Sequence, residues 1–174
     1  MTKKKRNELL CGLTHEMAIS VLSNLCNGDA GIAKTVLEMV EAELRQVDAD
    51  EVAKEVFYSL NALDVDELYD HSGKTRYGYH DPTDVAYEMT EGAIDPFVRD
   101  IEKYRKLGMK DAEKETCRGV LRGLLLYDAE GDNEFRDWIP DGASEFADDI
   151  IHAYGEHNSE ADIADIKREL EAED

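Results

Sequence analysis

"KDAEKETCRGVLRGLLLYDAEGD", Lys110 to Asp132, is the most apolar helix-like stretch of the chain. Val120, Leu121, Leu124, Leu125 and Tyr127 fall at three- and four-residue steps and around most of a helix circumference, so other helices are expected on several sides of it. It should lie centrally. Gly119 and Gly123 stand four residues apart, where each costs about 1 kcal/mol relative to alanine. That cost suggests that another backbone comes close at both. A membrane reading of "GVLRG" fails because Arg122 lies inside the motif and charges flank it.

Working outward, the N-terminal third reads as three helices between recognisable caps. The first begins at Thr14 or His15 and carries Met17, Val21, Leu22 and Leu25; the second, Ala30 to Gln46, carries Ile32, Val36, Val40 and Leu44. The third follows Asp48 or Asp50 with Val52, Val56, Leu60 and Leu63. From Val85 a long apolar face runs through Met89, Ala93, Phe97, Ile101 and Tyr104, and Pro96 predicts a kink or a junction of two helices near Asp95. A helix with Phe146, Ile150 and Tyr154 follows "NEFRDWIPDG", and a weaker one starts at Ser159. Runs of alternating β-branched residues are absent, so strands are not expected. The fold class is all-α: antiparallel helix pairs forming a short α-solenoid or an irregular helical bundle. Residues 1–13 read as a basic tail and lead-in, 14–157 as a single helical domain, and 158–174 as a weak acidic helix or tail.

A chain of 174 residues suits one domain with a real core. Its net charge of -21 repels phosphate backbones, which argues against nucleic acid and favours basic protein partners. "KKKR", Lys3 to Arg6, reads as a solvated run. No apolar run reaches the roughly 18 residues of a membrane span, and the segment after "KKKR" is short for a signal sequence, so a cytoplasmic protein without a membrane partner is expected. Cys11, Cys26 and Cys117 suggest neither a disulfide framework nor a zinc motif; each reads as a small buried apolar residue.

Two connectors hold the chemistry-bearing residues. "YDHSGKTRYGYHDPTD", Tyr69 to Asp84, brings His71, His80, Asp70 and Asp81 within one loop, a donor set that suits a metal accepting nitrogen and oxygen. The histidines are nine apart rather than at helical spacing, and the aspartates also suit helix caps. "DAEGDNEFRDWI" starts like a calcium loop, but its sixth position is Asn133 rather than glycine and its twelfth Ile139 rather than glutamate. No nucleophile elbow, phosphate loop or cofactor fingerprint occurs, and no cofactor is expected. Cys117 sits on an apolar face, where cysteines are inert.

The stretches "YGYHDP" (Tyr77–Pro82), "IDPF" (Ile94–Phe97), "GVLRGL" (Gly119–Leu124) and "DWIPD" (Asp137–Asp141) together resemble a helical region found beside SWIM-type zinc fingers in some prokaryotic proteins. The likeness spans about Asp66 to Ile151. The finger's own CxC and CxH motifs are absent, so its zinc and its nucleic-acid contacts are not implied. What the resemblance implies is a helical module that stands beside interaction domains. The expectation is therefore a non-enzymatic protein-interaction or scaffold module, with Tyr77, Tyr79, His80, Phe135 and Trp138 on two connectors framing a partner groove. The alternative is a metal-dependent enzyme built on His71 and His80.

Overall fold

Side-chain caps begin most of the helices. The structure is a computed structural model that describes residues 2–76 and 78–171. Among these residues there are nine α-helices, one 3-10 helix and a two-stranded hairpin of three-residue strands, so the fold is all-α. Two units are distinguished, Met1–Gln46 and Val47–Asp174. Their boundary falls inside the stretch 14–157 that the sequence presents as one domain.

The first unit holds α1 (Lys3–Cys11), α2 (His15–Gly28) and α3 (Ala30–Leu44). The basic run is thus helical, with Thr2 Oγ1 accepting from the Lys5 amide at 3.4 Å. Thr14 Oγ1 accepts from the Met17 amide at 3.3 Å, and Asp29 Oδ1 from Gly31 and Ile32 at 2.7 and 3.0 Å. These bonds satisfy donors that a helix start leaves open. Helices α2 and α3 pack together, yet none of the residues of α1, α2 or α3 is buried. Only Ala18, Cys26, Ala33, Val36 and Leu44 are half-buried in the pair.

The second unit runs α4 (Ala49–Asn61), α5 (Val65–His71), β1 (Gly73–Thr75), β2 (Gly78–His80), α6 (Pro82–Lys106), α7 (Lys110–Glu130), the 3-10 helix Glu134–Trp138, α8 (Gly142–Gly155) and α9 (Glu160–Glu171). Helix α7 is the hub, packing on α4, α6, α8 and α9. Its glycines explain the closest of these contacts. A Cβ on Gly119 would lie 2.6 Å from Val52 Cβ and 2.7 Å from the Ala49 carbonyl oxygen; on Gly123 it would lie 2.6 Å from Val56 Cβ and 2.7 Å from the Ala53 oxygen. Small residues on both helices thus let the backbones approach. Around this seam Val56, Leu60, Cys117, Val120, Leu124, Tyr154 and Ile166 form the main core.

The tyrosine-rich loop is not wholly irregular, because β1 and β2 pair antiparallel with Lys74 opposite Tyr79 and Gly73 opposite His80. Gly73 and Gly78, at φ 84° and 141°, supply the backbone that an L side chain would resist. Helix α6 continues through Pro96 as one helix, without ending at Asp95. Pro96 and Gly92 are both exposed, so water can serve the carbonyl that proline leaves without a donor. The buried face of α6 keeps Val85, Ile101 and Tyr104 of the predicted one, but Ala86, Thr90 and Ile94 point inward where Met89, Ala93 and Phe97 are only half-buried.

Candidate functional site

His71 and His80 line one shallow concavity with Val85, Glu88 and Met89. Among the described residues no group of three histidine, cysteine, aspartate or glutamate side chains is placed to hold a metal. Asp81 is a helix cap, its Oδ1 accepting from the Thr83 amide at 2.9 Å. Asp70 is exposed on α5, and Tyr79 stands 70% exposed on β2. Tyr77 lies outside the described residues. The enzyme alternative therefore has two imidazoles and no third ligand among these residues.

The second connector is tied down by its polar residues. Asn133 Nδ2 donates to the Leu60 and Leu63 carbonyls at 3.1 and 3.4 Å, while Tyr127 Oη donates to Asn133 Oδ1 at 2.8 Å. Asn61 Nδ2 donates to Asp132 Oδ1 at 2.9 Å, and Arg136 donates to the Gly131 carbonyl at 2.6 Å. Asp132 and Asn133, within the stretch that starts like a calcium loop, are thus engaged in closing the end of α4. Phe135 is fully buried with Leu68, Val85, Ala86 and Ile139, which removes it from any partner-facing surface. Trp138 is half-buried against the same group and meets the Tyr69 ring edge-on at 5.7 Å. The two connectors do meet, and what they build is a second, smaller core.

A better-formed concavity lies between α6 and α8. It has a volume of about 270 Å³, and Ile94, Val98, Ile101, Phe146 and Ile150 are among its apolar lining. Glu91, Asp95, Glu102 and Asp149 also line it. Asp95 pairs with Arg99 at 2.7 Å and Glu102 with Lys106 at 2.9 Å, the latter bond holding the Glu102 carboxyl below its usual range. Glu91 and Asp149 make no ion pair among the described residues. They are the acids left to meet a cation.

Tyr154 and Arg105 also line the groove, and behind them lies a polar cluster. Arg105 Nε donates to the buried Glu113 at 2.8 Å, and Asn158 Nδ2 donates to the same Oε1 at 3.1 Å. A buried carboxylate needs such partners, because an uncompensated one costs several kcal/mol (about 3–5 when a partner is removed). Burial first, then the Glu113 charge, pushes the Cys117 thiol up to about 12. It stays protonated and unreactive at neutral pH. Burial likewise raises the Tyr154 phenol. Elsewhere between the same helices, Tyr87 Oη donates to Glu145, and that bond raises the tyrosine's pKa. Behind the groove, Arg105, Glu113 and Asn158 thus tie α6, α7 and the segment after α8 together.

The chain matches no protein-family model, no curated protein and no solved structure. From the sequence, Phe146, Ile150 and Tyr154 read only as residues of one helix; Ile150 and Tyr154 are buried, and the groove that all three border was not foreseen. The available signal is on α6, where Glu91, Asp95 and Glu102 alternate with Ile94, Val98 and Ile101 at helical spacing. An apolar stripe edged by acids marks a face that ends at solvent.

Proposed function

We propose that the chain is a non-enzymatic protein-interaction module whose α6–α8 groove receives an amphipathic helical segment with basic flanks. The observation that carries this reading is the apolar lining edged by Glu91 and Asp149. An incoming helix would set side chains at i, i+3 or i+4 and i+7 into the lining, the usual mode of helix-in-groove recognition. Lysines or arginines beside those anchors would meet the free acids. The net charge of -21 would speed the encounter with such a segment and repel acidic ones.

Titration of the full chain with a synthetic amphipathic peptide, leucine-anchored and lysine-flanked, tests this reading. Ala153 is exposed and lines the groove, so Ala153→Arg adds bulk and positive charge without entering the core. The expected result is saturable binding that Ala153→Arg weakens at least tenfold, about 1.4 kcal/mol. A glutamate-flanked peptide should not bind. Equal binding by both peptides, or by chain and variant, would remove the groove as the site.

A further inference from the structure

Helix α2 is apolar over far more of its circumference than one neighbour can cover. At 100° per residue Met17, Val21, Leu25, Leu22 and Ile19 span an arc of about 200°. All five are 44–51% exposed, and on α3 Ile32, Leu37, Met39 and Val40 are 41–68% exposed. Packing α2 on α3 therefore leaves a broad apolar face. Between Met17 and Gly28 no residue is charged, in a chain where 35% are.

The charge balance indicates what can cover that face. Residues 1–46 hold six lysines and arginines against six aspartates and glutamates, so the whole net charge of -21 belongs to residues 47–174. Two copies meeting through the acidic unit would repel each other. Two copies meeting through the neutral one would not.

We infer that α2 and α3 form a self-association surface, and that a second copy of this chain covers it, the four helices completing a bundle. The second copy supplies the core that the pair lacks by itself, because packing of the apolar face is the main source of stability for helices this short. This surface uses none of the residues of the α6–α8 groove, and its failure would leave the groove proposal standing.

Sedimentation velocity on the full chain in reducing buffer, across a hundredfold concentration range, tests the inference. The expected species at the upper end has twice the 19.6 kDa mass. Val21→Glu should shift the dissociation constant at least tenfold, whereas Tyr58→Glu, at another exposed apolar residue but in the acidic unit, should leave it unchanged. Trp138 fluorescence should remain native in both variants, separating lost association from lost folding. A monomer at every concentration, or a dimer that survives Val21→Glu, would overturn the inference. So would a monomer that co-sediments with phosphatidylserine vesicles, which would assign the face to lipid: α1 and α2 together have a membrane-like length and composition, although they are bent by 116° and no single described helix could span a bilayer.

Discussion

Residues 2–46 and 47–171 use the same helical vocabulary and reach opposite results. Both begin helices at oxygen-bearing caps and repeat apolar residues at helical steps. The second unit converts that pattern into a core in which Val56, Leu60, Val120, Leu124 and Ile166 are fully buried, while the first buries none of its helical residues. The difference is one of partners. In the second unit α7 has four neighbouring helices, whereas α2 and α3 chiefly have each other. Periodicity identifies an apolar face and leaves open what will cover it.

The largest effect should come from the tightest part of the second unit. Gly123→Ala gains up to about 1 kcal/mol of helix propensity, but its Cβ would stand 2.6 Å from Val56 Cβ and 2.7 Å from a backbone oxygen. Overpacking of that kind costs about 1–3 kcal/mol. The expected net change is a loss of up to about 2 kcal/mol in urea unfolding. Gly92→Ala, where nothing lies within 4 Å of the new Cβ, should instead stabilise by about 0.5–1 kcal/mol. Equal effects at the two positions would show that α4 and α7 are not in close contact.

A smaller, local effect is expected at α9. Burial pushes the Glu169 carboxyl up, but bonds from Arg118 and Lys114 outweigh it and hold the group below its ordinary range. Ser159 does the same for Asp162 through its hydroxyl at 2.6 Å and its amide at 3.1 Å. Depressed carboxyls stabilise the fold above their unfolded pKa, about 3.9–4.3, and lose that contribution as pH falls through the folded value. Acidification through this window should loosen α9, whose one buried residue is Ile166, before it disturbs α7. Amide protection compared between the two helices across pH 5 to 3 checks this, and simultaneous loss would contradict it.

Much of this was legible in the sequence, for identifiable reasons. Gly119 and Gly123 announced a close backbone because a glycine pair inside a helix is costly without one. Asp48 and Asp81 marked helix starts, since their side chains match the geometry of open amides. Phe135 misled because a phenylalanine in a polar connector resembles a surface anchor, and only the fold of α5 and α6 around it shows that it is core. The groove was hidden on α8 because Phe146 has the spacing of a buried residue whether a third helix covers it or solvent does. The division at Gln46 left no mark at all: "QVDAD" reads as an ordinary helix connector.

The second unit holds its own core, whereas the first, by our inference, takes its core from a second copy. Hydrogen exchange on the full chain at low and high protein concentration tests this contrast most directly. Amides of α4 and α7 should be protected at both concentrations, and those of α2 and α3 should gain protection as concentration rises. Protection of α2 and α3 equal to that of α7 at the lowest concentration would contradict it.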